Sequence, residues 1–276
     1  MRTALVQLTS SDDPAANLVA TESLIREAAA DGATFVLTPE VTNCVSTSRS
    51  RQMDVLRTEE EDATLAALRD LTAELGVNLL IGSLALKLAD EPRFVNRSFL
   101  IDPAGRIAAR YDKIHMFDVT LAEGESYRES AGYRPGSQAV RAQVGDAALG
   151  MTICYDMRFP ALYRELAQAG AQILTAPSAF TVPTGEAHWH VLLRARAIET
   201  GCFVLAPAQC GSHPAVAGKG RRTFGHSLVV DPWGRVMADG GDLPGLTLVD
   251  IDLAEVATAR AKIPSLDHDR DYGSPG

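Results

Sequence analysis

The sequence predicts a mixed α/β fold in which two sheets can form. Short apolar runs typical of buried strands alternate with segments whose apolar residues recur every three or four positions, which is the helical period. Turns at residues 102–105 (Asp-Pro-Ala-Gly) and at Gly145-Asp146 join strands directly and interrupt a pure strand–helix–strand rhythm. No linker divides the 276 residues, so we expect one domain over residues 1–276, with a polar C-terminal tail from about residue 262.

The strands are predicted from alternation or from short, bounded apolar runs. Ala4, Val6 and Leu8 alternate with their neighbours, whereas residues 147–153 form a continuous apolar run between a turn and polar residues. The predicted strands, in chain order, are residues 4–8, 35–38, 77–84, 94–101, 106–111, 138–144, 147–153, 173–176, 203–207, 227–231 and 246–251.

Four helices are predicted from capping residues and apolar spacing. Asp13-Pro14 supplies an N-cap and the first helical position, and acidic residues fill the first turn of a helix that begins at Glu59. The predicted helices span residues 13–32, 59–75, 159–170 and 186–200, and glycines stand at or just after their ends. Residues 42–57, rich in Ser, Thr and Arg, are expected to be irregular, either a loop near the functional site or a surface excursion.

Composition and charge restrict the kind of partner. Hydrophobic residues make up 46% of the chain and charged residues 22%, as in ordinary globular proteins. The net charge of −9 argues against nucleic acid or an anionic membrane as a partner, and the basic residues Lys219, Arg221 and Arg222 are expected on a solvated loop. No apolar run approaches membrane-spanning length and no signal peptide is recognised, so a cytoplasmic location is expected.

The sequence predicts neither a metal nor a cofactor. No C-x-x-C pair occurs, which disfavours a structural zinc site; the four cysteines are Cys44, Cys154, Cys202 and Cys210. His188 and His190 lack a third ligand, so packing is expected of them rather than metal binding. Walker A, G-x-G-x-x-G, G-x-S-x-G and H-E-x-x-H motifs are all missing, so no nucleotide, flavin or metal cofactor is implied.

Three ionisable residues follow predicted strands. Cys154 comes directly after the apolar run 147–153, where a helix is expected to begin, and Glu40 and Lys113 each follow another strand. Open α/β sheets place their ligand sites at strand ends, so the three residues predict a common site. Backbone N–H groups and a helix dipole at Cys154 would favour its thiolate and supply donors to an oxyanion. By position alone, Cys154 is equally typical of a small buried hydrophobic residue.

The segments around these residues resemble a known family. They are Pro-Glu at 39–40, Tyr-Asp-Lys-Ile-His-Met-Phe-Asp at 111–118 and Gly-Met-Thr-Ile-Cys-Tyr-Asp-Met-Arg-Phe-Pro at 150–160. The resemblance is to the nitrilase (carbon–nitrogen hydrolase) superfamily with its Glu-Lys-Cys triad, and it extends from residue 3 to about residue 272. The form around the cysteine is similar to the Nit amidase branch. The resemblance implies a four-layer α-β-β-α sandwich that assembles as a homodimer or larger oligomer through helices near the Cys layer and through the C-terminal tail.

The resemblance also implies a hydrolase of linear, non-peptide amides and a role for each residue. Cys154 would attack the carbonyl carbon to form a thioester, and Glu40 would move the proton as general base and then general acid. Lys113 would hold the oxyanion, helped by the backbone N–H of Tyr155. Glu129 matches an additional Glu that contacts the Lys and helps to position substrate, whereas residue type alone would predict an exposed carboxylate.

Other residues are expected around the substrate. Phe180 and Thr181 follow strand 173–176 and are expected to line the pocket through backbone contacts. Asp156 and Arg158 are expected to support the nucleophile, with Arg158 alternatively meeting a substrate carboxylate.

The second half of the chain is most similar to the Nit subgroup that acts on deaminated glutathione. The neighbouring ω-amidase subgroup acts on amides of α-keto acids such as α-ketoglutaramate, and both substrates carry a carboxylate that needs a cation. The candidate cations are Arg158, Arg194, Arg196 and Arg221. Residues 212–223 are expected to surround the Cys-Gly leaving group of deaminated glutathione and to meet its glycyl carboxylate.

Three other functions are disfavoured. A catalytically silent scaffold or binding protein would not need all three triad residues, which are present. True nitrilases carry Trp directly after the Cys and carbamoylases typically carry Asn, whereas this sequence has Tyr155 at that position.

Overall fold

The secondary structure is known from a computed structural model that describes residues 1–122 and 125–274, so the last two residues of the predicted domain lie outside it. The first half of the chain contains β1 (Arg2–Gln7), α1 (Pro14–Ala30), β2 (Phe35–Leu37), α2 (Arg49–Val55), α3 (Ala63–Leu75), β3 (Asn78–Leu86), β4 (Val95–Ile101), β5 (Ile107–Asp112), β6 (Asp118–Ala122), β7 (Glu125–Arg128) and α4 (Glu129–Gly132). The second half contains β8 (Val140–Val144), β9 (Ala147–Met151), α5 (Pro160–Gln168), β10 (Ile173–Thr175), α6 (Val182–Thr200), β11 (Phe203–Ala206), β12 (Cys210–His213), β13 (Arg221–Phe224), β14 (Leu228–Val230), β15 (Val236–Asp239), β16 (Gly245–Asp250) and α7 (Ala254–Lys262).

The two large sheets have the same arrangement of parallel and antiparallel strands. The strand order is β16-β1-β2-β3-β4-β5 in the first six-stranded sheet and β15-β14-β11-β10-β9-β8 in the second. Each sheet has three parallel strands at its centre, β1-β2-β3 and β9-β10-β11, and antiparallel strands on both sides. The predicted hairpins supply these antiparallel strands, which explains why they interrupt the strand–helix alternation.

The side chains of each strand divide between two cores. Leu5 of β1 lies in the cluster that includes residues of both sheets and of α5 and α6, and Trp189 of α6 belongs to the same cluster. Ala4 and Val6 point to the opposite face of the sheet, where they share a core with Leu68 of α3. The layers are therefore α1 and α3, the first sheet, the second sheet, and α5 and α6, which is the predicted four-layer α-β-β-α sandwich.

Two predicted boundaries around the first layer are wrong. Residues 42–57 are not irregular throughout, because α2 lies within them and the Ser48 hydroxyl accepts the Arg51 N–H at 3.3 Å to cap it. The helix predicted from Glu59 begins instead at Ala63, after a separate 3-10 turn and an N-cap at Asp62. The capping residues, Ser48 and Asp62, each lie among several other polar residues. The sequence therefore does not show which of these residues begins the helix.

Several short elements were not predicted. They include the β6–β7 and β12–β13 hairpins, strand β15 and helices α4 and α7, and α6 begins four residues before its predicted start, at Val182 rather than Glu186. These hairpins are short and contain many polar residues, so no apolar period identifies them. The polar tail after α7 is tied to α5, because the side chains of Arg164 and Gln168 both hydrogen-bond to Asp269.

Candidate active site

Glu40, Lys113 and Cys154 meet at one place in the structure. They follow β2, β5 and β9 respectively, each within three residues of the strand end. Because the two sheets pack face to face, the ends of these strands bring the three side chains together. The convergence that the sequence could only suggest is therefore present in the fold.

The Glu40 carboxylate is buried and fully hydrogen-bonded. Its Oε1 accepts hydrogen bonds from Lys113 Nζ and from Asn96 Nδ2, both at 2.9 Å, and its Oε2 accepts the Ala179 N–H at 2.8 Å. Burial raises the pKa of Glu40, but the charge and hydrogen bond of Lys113 together with the charge of Arg221 outweigh burial and hold that pKa below its ordinary value. Glu40 is therefore ionised at neutral pH and able to accept a proton.

The backbone around Glu40 follows an unusual path. Val41 is a β-branched residue with a left-handed φ of 46°, a conformation that costs about 1–3 kcal/mol. Strand β3 holds it there, because Ser83 Oγ accepts the Val41 N–H at 2.7 Å. A Cβ atom on Gly82 would lie 2.0 Å from the carbonyl oxygen of Thr38, so only glycine allows β3 to come this close.

The Lys113 ammonium lies between two carboxylates. Its Nζ is 2.9 Å from Glu40 Oε1 and 2.9 Å from each carboxylate oxygen of Glu129. Glu129 is itself held by the Phe117 N–H, which donates to Oε2 at 2.6 Å. Burial opposes the charge on Lys113, yet the carboxylates of Glu129 and Glu40 hold the pKa of Lys113 well above its ordinary value. Lys113 is therefore a fixed positive charge inside the site.

Cys154 begins a five-residue 3-10 turn and has a left-handed φ of 49°. Burial raises the pKa of the Cys154 thiol far above its ordinary value, the Glu40 carboxylate raises it further, and Lys113 offsets only part of this. The prediction of a thiolate stabilised by a helix dipole is wrong for the resting site. The turn is too short to carry a substantial dipole, and α5 begins only at Pro160. The thiol is therefore neutral in the resting site, and it lines the same cavity as the Glu40 carboxylate.

Asp156 ties the lysine segment to the cysteine segment. Its carboxylate accepts the Tyr111 hydroxyl at 2.6 Å and the Ile153 N–H at 2.9 Å. It also accepts the His115 N–H at 3.0 Å and lies 2.7 Å from the His115 ring Nδ1. Asp156 is completely buried, so it supports the nucleophile from behind and does not reach substrate.

The side chains converge on a cavity of about 370 Å³, a volume within the usual range for a small-molecule site. Apolar walls come from Val41, Val45 and Phe117. Six of the predicted site residues line it: Glu40, Lys113, Glu129, Cys154, Phe180 and Thr181.

Tyr155 and Arg158 lie beside the cavity and are not among the described residues that line it. The Tyr155 ring packs against Phe117, with centroids 5.2 Å apart. The Arg158 guanidinium lies 5.4 Å from the centre of the Phe180 ring and 3.3 Å from His188 Nδ1. Their side chains therefore stabilise the wall, while the oxyanion role of the Tyr155 backbone N–H stays a prediction.

Sequence reasoning missed two polar residues of the cavity. Asn96 of β4 donates to Glu40, and Tyr133 lines the cavity with its hydroxyl accepting Gln52 Nε2 at 3.0 Å. No sequence signal singled out Asn96, because Arg97 and Ser98 next to it are polar as well. Arg221, expected on a solvated loop and also as a candidate cation for the substrate, is half-buried and lines the cavity. Lys219 and Arg222 are exposed as predicted, but Arg222 lies in strand β13 and not in a loop.

His190 lies in a cluster with Asp239 and His226, and His188 is not part of it. His190 Nε2 lies 2.8 Å from one oxygen of Asp239, and His226 Nδ1 lies 2.9 Å from the other. The three side chains offer ligand atoms within 4.8 Å of one another. They come from α6, β15 and the turn before β14, which no sequence spacing could connect. Hydrogen bonding accounts for the observed distances, so the cluster does not by itself indicate a metal site.

The fold and this arrangement define the class of hydrolases that act on carbon–nitrogen bonds other than peptide bonds. The chain belongs to the carbon–nitrogen hydrolase family, whose model matches residues 2–261. It is 39% identical to the deaminated glutathione amidase of Yersinia enterocolitica over 97% of this chain and 92% of the relative. It is 39% identical to the human deaminated glutathione amidase over 99% of this chain and 84% of the relative.

Solved structures place the chain among the Nit members of the nitrilase superfamily. The NitFhit protein of C. elegans superimposes with a TM-score of 0.90 at 35% identity, and the match covers 98% of this chain but 65% of the worm chain. Nit3 of Saccharomyces cerevisiae matches with a TM-score of 0.84 at 27% identity over 96% of this chain and 94% of the yeast chain. An amidase from Nesterenkonia matches with a TM-score of 0.77 at 29% identity over 96% and 95% of the two chains. Within the described residues, no helix combines the length and apolarity needed to cross a bilayer.

Proposed function

We propose that this enzyme hydrolyses a small carboxylated amide through a thioester on Cys154, and that the amide is deaminated glutathione, which yields 2-oxoglutarate and Cys-Gly. The observation that carries the mechanism is the buried network in which Lys113 joins Glu40 to Glu129 beside the thiol. The names of the curated relatives support the substrate.

The acylation step follows from the protonation states of the site. Sulfur attacks the amide carbon while the Glu40 carboxylate takes the thiol proton, so no free thiolate is needed beforehand. The carbonyl oxygen becomes an oxyanion next to the Lys113 ammonium, which is already charged and held in place. The C–N bond then breaks, Glu40 returns its proton to the leaving nitrogen, and the amine departs.

Deacylation repeats the same roles with water. Glu40 takes a proton from water as the water oxygen attacks the thioester carbon, and Lys113 again faces the oxyanion. The C–S bond breaks, the proton on Glu40 returns to sulfur, and the carboxylic acid leaves. Glu129 fixes the position and charge of Lys113 through both steps, because it supplies two of the three contacts of Nζ with carboxylate oxygens.

The test compares two substrates on one enzyme preparation. We expect a higher kcat/KM for deaminated glutathione than for α-ketoglutaramate, and no turnover of either by Cys154→Ala. The reverse order would assign the chain to the ω-amidases. Activity that survives Cys154→Ala would contradict the thioester mechanism, and a folded protein without activity on any amide would support the silent-scaffold alternative.

We also propose that the enzyme works as a homodimer or larger oligomer. The support is the apolar outer face of α6, where Val191 and Ile198 are 67% and 54% exposed although they lie on one of the two outer layers. The cytoplasmic location expected from the sequence would be checked by cell fractionation.

A further inference from the structure

We infer that Arg221 is the specificity-determining residue of this site and that it binds the carboxylate of the acyl part of the substrate, the 2-oxo acid end. The inference rests on the proposed amidase function and adds to it the group that selects an anionic acyl chain.

Arg221 is connected to the catalytic base through one residue. It begins strand β13, lines the cavity, and donates from Nη2 to the carbonyl oxygen of Ala179. The N–H of the same Ala179 donates to Glu40 Oε2 at 2.8 Å. The guanidinium therefore lies close to the reacting centre, as a short acyl chain requires, because four bonds separate the scissile carbonyl carbon from the carboxylate carbon of a 2-oxoglutaryl group.

Part of the guanidinium lacks a partner. Arg221 Nε is buried without a hydrogen-bond acceptor in the described part of the chain, and Arg221 forms none of the ion pairs found there. A buried donor without an acceptor costs roughly 1–3 kcal/mol, and more when it is charged. A carboxylate matches the planar donor set of arginine in shape and charge, so an anionic ligand at this position would remove the cost.

The charges of the cavity lead to the same conclusion. Glu40 and Glu129 carry two negative charges and Lys113 one positive charge, so these three groups alone would repel an anionic substrate. Arg221 brings the sum of these four groups to zero. With Arg221 present, the cavity can accept a carboxylate without losing the ionised Glu40 on which the chemistry depends.

The other candidate cations are engaged elsewhere. Arg194 Nε donates to the Gly234 carbonyl at 2.7 Å, and Arg196 Nε donates to the Met157 carbonyl at 2.8 Å. The Arg158 guanidinium packs against the rings of Tyr155 and Phe180. Arg128 lines the cavity, but it is exposed and donates to the carbonyl oxygen of Tyr127, so it belongs to the rim rather than to the interior.

Contacts of the β12–β13 hairpin with its surroundings hold Arg221 in its position at the start of β13. His213 pairs with Arg221 across the β12–β13 hairpin, and the buried His213 ring lies 2.7 Å from both the Ser10 carbonyl oxygen and Thr223 Oγ1. Thr223 bridges in turn to Thr181 of the cavity wall. The neighbouring Arg222 points to solvent, so it offers a matched control with the same change of charge.

The experiment measures three substrates with Arg221→Gln, Arg221→Lys and Arg222→Gln. Deaminated glutathione has an acyl and a glycyl carboxylate, α-ketoglutaramate has only the acyl carboxylate, and butyramide has neither. We expect Arg221→Gln to lower kcat/KM roughly ten- to hundredfold for both carboxylated amides, mainly through KM, because a charge-assisted contact is lost. Butyramide turnover should change little, Arg221→Lys should restore part of the loss, and Arg222→Gln should behave as wild type.

Other outcomes would overturn the inference. An equal loss with butyramide would mean that Arg221 acts through Ala179 and Glu40 and not on substrate. A loss confined to deaminated glutathione would place Arg221 on the glycyl carboxylate of the leaving group. Binding of 2-oxoglutarate to Cys154→Ala, measured by calorimetry with and without Arg221→Gln, tests the anion contact without turnover. That measurement separates a failure of this inference from a failure of the proposed amidase function, and equal affinity of both variants would refute the contact.

Discussion

At the scale of single residues, the structure holds the proposed nucleophile as a neutral thiol and keeps the proposed base charged. The pKa of Cys154 is raised by burial, and the pKa of Glu40 is lowered by Lys113 despite burial. Proton transfer from sulfur to Glu40 must therefore accompany attack. This differs from thiol enzymes in which a histidine or a helix dipole stabilises a thiolate before substrate arrives.

This arrangement predicts that modification of Cys154 depends on Glu40. Iodoacetamide is a suitable probe, because it alkylates the deprotonated sulfur of a cysteine. We expect Glu40→Gln to slow iodoacetamide alkylation of Cys154 at pH 7 by about a hundredfold or more, since a general base contributes that much to proton transfer. Mass spectrometry of peptides would follow the rate.

The other thiols serve as internal controls for that experiment. Burial also raises the pKa of Cys44, Cys202 and Cys210, but Glu40 is not among the groups that shift the pKa of these three thiols. They should therefore react more slowly than Cys154 in the wild type and should be unaffected by Glu40→Gln. Equal rates at Cys154 in both proteins would show that the thiol needs no base.

The pKa directions also predict the pH profile. Catalysis needs Glu40 as the carboxylate, and its pKa lies below the ordinary value, so kcat/KM should stay flat as pH falls from 8 to about 5 and should decline only below about pH 4.5. The pKa values of Cys154 and Lys113 are both raised, so neither group should produce a limb in this interval. Circular dichroism at each pH separates loss of activity from unfolding. A limb centred between pH 6 and 8 would contradict these protonation states.

How much of the site the sequence predicts depends on the residue. The positions of Glu40, Lys113 and Cys154 at strand ends could be predicted because a strand end is local in the chain, whereas their grouping as a triad was implied by the family resemblance. Arg221 could only be placed among several candidates, because its position depends on packing of the β12–β13 hairpin against Ala179. The protonation state of Cys154 was predicted wrongly, because burial is a property of the whole fold and outweighs the local turn.

At the scale of secondary-structure elements, β3 positions Glu40, the proposed base, without contributing a side chain to the proposed chemistry. Its Gly82 comes into close contact with the segment that precedes Glu40, and its Ser83 holds the strained Val41. The register of β3 with β4 shifts between Ile81 and Leu84, which places this contact at an irregularity of the strand. This irregularity of β3 depends on tertiary contacts and not on a local period in the sequence. The same is true of the short hairpins that the sequence patterns did not predict.

A methyl group at Gly82 should therefore disturb catalysis more than folding. In Gly82→Ala, the new Cβ would lie 2.0 Å from Thr38 O and 2.6 Å from Pro39 O, so the backbone before Glu40 must move. We expect kcat to fall by about a hundredfold, the size of effect that a displacement of about 1 Å can cause, with a loss of about 1–3 kcal/mol in the free energy of unfolding. Urea denaturation and steady-state kinetics measure the two effects.

Gly132→Ala is the matched control for that variant. Gly132 lies in α4, and the atom nearest to the added methyl group would be Arg49 Nη1 at 3.8 Å, an ordinary contact distance. Its activity and stability should match the wild type. A Gly82→Ala enzyme with full kcat would show that the Glu40 segment is not held by this contact.

At the scale of the whole molecule, strands from the two ends of the chain pair with each other in the first sheet. Strand β16 pairs with β1 from Arg2–Asp250 to Gln7–Gly245, and Gln7 Nε2 donates to the Gly241 and Leu243 carbonyls. Pairs so distant in sequence leave no local signal, so residue patterns alone predict only mixed α/β with two possible sheets. The four-layer order came from the family resemblance, and the structure confirms it.

The outer layers of the sandwich differ in a way that predicts the oligomer interface. Helix α6 buries Trp189 and Leu193 against the second sheet but leaves Val191 67% and Ile198 54% exposed. Ile198 contacts the turn at Gly234, next to Trp233, which is itself 57% exposed. This outer face is therefore larger than a single exposed side chain, which favours a contact with a second copy.

We expect light scattering to give a dimer or larger oligomer for the wild type at micromolar concentration, and Val191→Asp to shift it towards monomer, because a charge would be buried without a partner. Val19→Asp is the control, since Val19 is 69% exposed on α1 in the opposite outer layer and should leave the oligomer intact. Circular dichroism should be the same for all three proteins, because neither side chain belongs to a core. A wild type that stays monomeric would refute the assembly, and dissociation by Val19→Asp instead would place the interface on the α1 layer.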